Sequence, residues 1–93
     1  MQQREVTVLN ALGLHARPSA QLSQLASRFR AEVWLTRNGR RVNAKSIMGV
    51  MMLAADKGAV LLVETHGDDE AQAMEALAEL FAKGFHELSA AAS

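Results

Sequence analysis

The chain has no cysteine and no tyrosine, a single proline, and only three Phe and one Trp as aromatics. Without cysteine there is neither a disulfide framework nor a thiolate metal site, a composition that fits a reducing compartment. The three histidines, His15, His66 and His86, have no ligand spacing, so no metal and no other cofactor is expected. Formal net charge is zero, which gives little support to nucleic-acid binding. The longest mostly apolar run, Ile47 to Ala55, is far shorter than a membrane span, and Met1 to Glu5 leads into no apolar signal region. A cytoplasmic protein without membrane insertion is therefore the expectation. At 93 residues the chain has room for one modest core. One domain over 1–88 and a frayed tail over 89–93 are expected, with no repeat and no linker.

Charge is unevenly spread. Residues 1–57 carry nine bases against three acids, a balance of +6, and residues 58–93 carry one base against seven acids, a balance of −6. Arg17, Arg28, Arg30, Arg37, Arg40, Arg41 and Lys45 would make a basic surface if the first part of the chain folds around one site. Such a surface steers phosphorylated or acidic partners. The acids equally suit a solvated helix face.

The apolar pattern alternates between two periods. Glu5 to Leu9 puts Val6 and Val8 on one face, which predicts a first strand. From Ala16 the pattern turns helical, with Leu22, Leu25, Ala26 and Phe29 on one stripe. Ala31 to Thr36 alternates again, and Asn38-Gly39 predicts a hairpin returning through Arg40 to Asn43. Ser46 stands as N-cap of a short helix over Ile47 to Ala55, with Gly58 as its stop. Val60 to Thr65 predicts the last strand. Gly67 to Glu70 supplies a turn, a cap and first-turn acids for a final helix with Met74, Leu77, Ala78, Phe81 and Phe85 on its buried stripe. The order is β-α-β-β-α-β-α, an α+β fold. Alternating strands favour a mostly antiparallel sheet with helices on one face and water on the other.

Gly13-Leu14-His15-Ala16-Arg17-Pro18 is the most informative stretch. A helix start has amide N–H groups without helical partners and partial positive charge, so it attracts anions. The Ala16 amide belongs to that group. Arg17 could grip phosphate oxygens, and Pro18 gives up only an N–H that would be unpaired anyway. A neutral imidazole at His15 suits a phosphoryl carrier: it can attack phosphorus and also leave again. His66 and His86 lack such surroundings and read as structural. Ser46 reads as a helix cap, or as a modification site whose phosphate the helix start tolerates. The helix after it is apolar almost all round. With Val50, Leu53 and Ala54 on a buried stripe that Ile47 could join, some of Met48, Met51 and Met52 should be exposed, near His15 if the two helix starts lie together. Exposed methionine suits a surface that meets several partners, although methionine also fills small cores.

The histidine motif together with Asn43-Ala44-Lys45-Ser46-Ile47-Met48-Gly49-Val50-Met51 resembles the histidine-containing phosphocarriers, HPr, of the bacterial phosphotransferase system. The resemblance spans nearly the whole chain. It implies an open-faced β-sandwich with a four-stranded antiparallel sheet in order 1-4-2-3 and three helices on one face. It implies that His15 takes a phosphoryl group on Nδ1 from phosphorylated enzyme I, with Arg17 contacting the phosphate, and passes it to an enzyme IIA domain. The chain would be a carrier rather than an enzyme. Ser46 matches the serine modified by HPr kinase/phosphorylase, and Ile47, Met48 and Met51 match the docking surface. A monomer is expected for a shuttle. Leu12 stands where many relatives carry a small polar residue. A chiefly regulatory role, as in the nitrogen-related paralogue, is the alternative. A small ligand- or RNA-binding module using Trp34 as a stacking platform shares the first six elements but not the charge or the aromatic content.

Overall fold

The computed structural model describes residues 1–87, so the tail expected over 89–93 lies outside the described residues. The elements are β1 (Gln2–Thr7), α1 (Ala16–Ala26), β2 (Glu32–Arg37), β3 (Arg40–Asn43), α2 (Ile47–Met52), β4 (Val60–His66) and α3 (Glu70–Ala82), followed by a short turn over Gly84–His86. The strands form one antiparallel sheet in order β1-β4-β2-β3. Alternation decides its faces. Val6, Val33, Leu35, Leu61, Val63 and Thr65 point into the core with Leu22, Ala26, Val50, Met74, Leu77 and Phe81 of the helices. On the open face Arg41 stacks 4.2 Å over the Trp34 ring and reaches Glu64, which also accepts from Gln3. That stack covers the only indole, so the open side is a polar network rather than a bare aromatic platform.

The hairpin forms as the Asn-Gly signal requires: Asn38 and Gly39 both have positive φ, at 51° and 81°. Ser46 caps α2, accepting from the Gly49 amide at 3.1 Å. Several boundaries differ from the sequence expectation. β1 begins at Gln2, because its backbone ladder to β4 needs no apolar side chains there, and Val8 is buried just beyond it. α1 stops at Ala26, which leaves Phe29 beyond the helix and half-buried. α2 is shorter than expected and ends without Gly58: Ala54, at φ 48°, turns the chain, and Arg37 Nη1 donates to the carbonyls of Leu53 and Ala54 at 2.9 and 2.7 Å. Ala54 is consequently exposed, and Ala55 is the buried residue. Asp69 does not cap α3 with its side chain. Its carboxylate crosses to the Arg30 and Ala31 amides at 2.9 and 2.8 Å, tying the α3 start to the β2 entry.

The end of α3 departs most from a continuous helix. Gly84, Phe85 and His86 all take positive φ, 59°, 57° and 63°. Left-handed backbone costs about 1–2 kcal/mol for each non-glycine residue. Burial of Phe85, worth about 1.5–3 kcal/mol, offsets much of this. Its edge-to-face packing on Phe81, centroids 4.9 Å apart, adds to that. The turn sends residue 87 back over the start of α1.

Strand directions make α1 and α2 antiparallel. Leu14 N–H bonds to Ala55 O beyond the end of α2, whereas Ser23 Oγ, far along α1, bonds to Ala44 O before its start. The two helix starts therefore do not lie together, and the sequence expectation conditional on that arrangement is corrected. The end of α2 is the part held against the His15 loop.

Gly13 has φ 67° and a Cβ there would sit 2.2 Å from Ala55 O, while Gly39 has φ 81° with open space around it. Gly13→Ala should lower the thermal midpoint by roughly 10 °C or more, and Gly39→Ala by much less; equal losses in thermal unfolding would dismiss the close approach as the cause. The Arg30 amide foremost, then the Ala31 amide and Lys45, hold the Asp69 carboxyl below its usual value. A lowered native value means that the ionised group stabilises the fold above the ordinary aspartate pKa, about 3.9. That contribution is lost as pH falls through the lowered native value. Denaturant titrations at pH 7 and pH 3 should show a smaller acid-dependent loss for Asp69→Asn than for the parent.

Candidate functional site

His15 is the N-cap of α1, with extended backbone (φ −76°, ψ −170°) and a side chain 36 % exposed. Its position is clamped from both sides. Leu14 is buried, its N–H held by Ala55 O. Ser19 donates its amide to His15 O and its hydroxyl to Leu14 O, both at 3.0 Å. The imidazole does not cap its own helix. The amides of Ala16 and Arg17 open the helix without a partner among the described residues, and Pro18 contributes no N–H. An anion placed before α1 would thus meet two free donors and the positive end of the helix dipole.

The other side of the ring is occupied. Glu87 brings Oε2 to 3.0 Å and Oε1 to 3.3 Å from His15 Nε2. A carboxylate can only accept, so in the neutral imidazole the proton sits on Nε2 and the lone pair on Nδ1. Asn10, fully buried, donates Nδ2 to Gly13 O at 2.7 Å and to Glu87 Oε1 at 2.9 Å. Arg17 is exposed and flanks a hollow of about 370 Å³ shared with Leu12, Gln21, Phe85 and Glu87. Leu12 is 75 % exposed at the rim of the site. A larger hollow, about 550 Å³, lies between β1 and α3, and no histidine lines it.

Four of the seven basic side chains read from the sequence are engaged by other partners. Arg37 and Arg40 bond to carbonyls at the α2 end, Arg41 lies on Trp34, and Lys45 donates to Phe29 O. Each neutralises helix-end or loop carbonyls or the open face. Arg17 alone of that group stands at the α1 start. On α2, Ile47 (42 %), Met48 (74 %) and Met51 (43 %) are exposed, so Ile47 is not in the core, while Val50 and Leu53 are. Ser46 is exposed at the head of the same helix. His66 ends β4, and His86 sits on the left-handed turn rather than on α3. Among the described residues no three His, Asp or Glu side chains converge as a metal site, and no helix is long and apolar enough to cross a membrane.

Sequence reasoning missed Asn10 and Glu87. Asn10 gave a weak signal, a turn-forming residue three places before Gly13. Glu87 gave none, being 72 residues from the ring it touches.

Comparison with known proteins covers most of the chain. The family model for the PTS HPr component phosphorylation site matches residues 2–83. The phosphocarrier protein HPr of Cupriavidus necator is 58 % identical over 87 residues, 94 % of this chain and 98 % of that protein. HPr of Neisseria meningitidis serogroup A is 56 % identical over 80 residues, 86 % of this chain and 90 % of that one. Among solved structures, HPr-C-His from Thermoanaerobacter tengcongensis superposes with a TM-score of 0.90 at 41 % identity, covering 94 % of this chain and 98 % of that one. A clamped histidine with Nε2 engaged at a donor-rich helix start, on a β1-β4-β2-β3 sheet, thus coincides with matches along nearly the whole length, and the chain belongs to the HPr phosphocarrier family of the phosphotransferase system.

Proposed function

We propose that His15 Nδ1 accepts a phosphoryl group from phosphorylated enzyme I and delivers it to a histidine of an enzyme IIA domain, with the chain acting as a monomeric cytoplasmic shuttle. The observation that carries this reading is the division of labour around one ring. Nε2 is held by Glu87, Nδ1 has no hydrogen-bond partner among the described residues, and the amides of Ala16 and Arg17 at the same helix start are unpaired. In the forward step the Nδ1 lone pair forms the new N–P bond as the donor's N–P bond breaks, and the electron pair returns to the donor's imidazole. The free amides and the exposed Arg17 guanidinium are placed to bind the phosphoryl oxygens. The same groups would serve the reverse geometry on the acceptor, since a nitrogen leaving group of matched basicity keeps the transfer reversible.

A second reading, regulation through Ser46 by HPr kinase/phosphorylase, draws on that residue's exposure at the head of α2 beside exposed Met48 and Ile47. A phosphate there would be tolerated by the helix start, and would put about −1.5 to −2 charge on the apolar surface proposed to dock partners, Ile47, Met48 and Met51. A chiefly regulatory HPr, or a nitrogen-related paralogue, whose phosphorylation state signals to other proteins is the alternative.

Incubation with enzyme I and phosphoenolpyruvate should label the parent chain with an acid-labile, base-stable phosphate. His15→Ala should stay folded and take up none; equal labelling of that variant would end the proposal. Arg17→Ala should slow transfer about tenfold, the scale of one charge-assisted contact. Ser46→Asp should slow phosphorylation by enzyme I at least several-fold, and an unchanged rate would remove the docking-surface switch.

A further inference from the structure

We infer that Glu87 is a positioning residue for phosphoryl transfer: its carboxylate pins the His15 Nε2 proton, keeps the lone pair on Nδ1, and faces the charge that the ring gains when Nδ1 is phosphorylated. This rests on the reading of His15 as the acceptor.

The arrangement is built at some cost. Glu87 reaches the ring only because Gly84, Phe85 and His86 adopt three consecutive left-handed conformations, two of them at non-glycine residues. A continued α3 would carry residue 87 onward along its axis instead of back over α1. The carboxylate is then fixed by Asn10, whose two Nδ2 hydrogens go to Gly13 O and Glu87 Oε1. This leaves Asn10 Oδ1 buried with no partner among the described residues. Rotating the amide by half a turn would not relieve it, because Oδ1 would then face the Gly13 carbonyl and the Glu87 carboxylate, acceptor against acceptor. An unpaired buried carbonyl is tolerated here in return for a fixed carboxylate. The side chain of Glu87 is 22 % exposed, so water competes only partly for its oxygens.

The chemistry follows from the geometry. When Nδ1 forms its bond to phosphorus, its lone pair is used and the ring becomes formally cationic, with the proton still on Nε2. That N–H points at Glu87 at 3.0 Å. No proton has to leave for the step to balance, and the anion is already in place, so little reorganisation accompanies the charge change. On delivery the N–P electrons return to Nδ1 and the neutral, Nε2-protonated ring is restored.

Glu87→Gln distinguishes this role from a mere clamp. The amide keeps the shape and can keep Asn10 through its oxygen, but its NH₂ then faces Nε2 as a donor and draws the ring proton to Nδ1. Ring ¹⁵N spectra of His15 in the free, full-length protein, at a pH where the imidazole is neutral, should show Nε2–H in the parent and a large Nδ1–H fraction in Glu87→Gln. Turnover with enzyme I should fall about tenfold with KM for the carrier unchanged. Glu87→Ala, which removes the anion without supplying a donor, should also lose turnover and let the ring relax to a mixture of the two neutral tautomers. A Glu87→Gln protein with the parent's ring spectrum and turnover would overturn the inference. So would a rise in KM alone, which would put Glu87 in docking. Because the spectra need no phosphoryl donor, they separate failure of this inference from failure of His15 as acceptor, which the His15→Ala labelling decides.

Discussion

The structure turns on leaving the first turn of α1 unsatisfied. Most helix starts recruit a side chain to accept from the early amides, and the His15 side chain at this N-cap does not. The unpaired donors at Ala16 and Arg17 would weaken an isolated helix. Here the helix is secured by other means: Leu14 and Pro18 are buried, and Ser19 clamps the carbonyls of Leu14 and His15. The free amides are thereby available to an anion without the helix depending on it. A serine or aspartate at position 15 would cap α1 better and take up the Arg17 amide.

Everything around that point concerns where charge is allowed to go. The positive end of α1 and the carbonyl end of α2 come to the same side of the sheet because the two helices run antiparallel, as Leu14 and Ser23 demonstrate from opposite ends. Left alone, the α2 carbonyls would oppose an anion at the α1 start. Arg37 and Arg40 reach from the hairpin to the carbonyls of Met52, Leu53 and Ala54 and quench that end. Of the arginines that looked from composition like a phosphate-steering surface, Arg37 and Arg40 are committed to this local work and Arg41 to Trp34. Arg17 stands, exposed, in the first turn of α1.

The fold was largely legible in the chain because its signals are short-ranged. Ser46 caps the helix it precedes, Asn38-Gly39 closes the hairpin, and the strand alternation of Val33 and Leu35 gives the buried face. Where the reading slipped, a distant partner outweighed a local rule. Ala54 rather than Gly58 ends α2 because Arg37 stabilises that end, and Asp69 leaves its own helix to bind the Arg30 and Ala31 amides. Phe85 belongs to the core as its apolar character suggested, yet it gets there by a left-handed turn and not by helical periodicity.

By itself the sequence determined the element types, the one-faced packing, the helix start after His15 and the apolar exposure of α2, since each depends on residues within a turn or a strand pair of one another. The resemblance added the strand order and the family. Only the tertiary structure decided which nitrogen of His15 is engaged. That choice depends on a carboxylate 72 residues away, brought back by a strained turn and held by a buried amide. Contacts of that range arise from how the chain closes on its core, and no local periodicity encodes them.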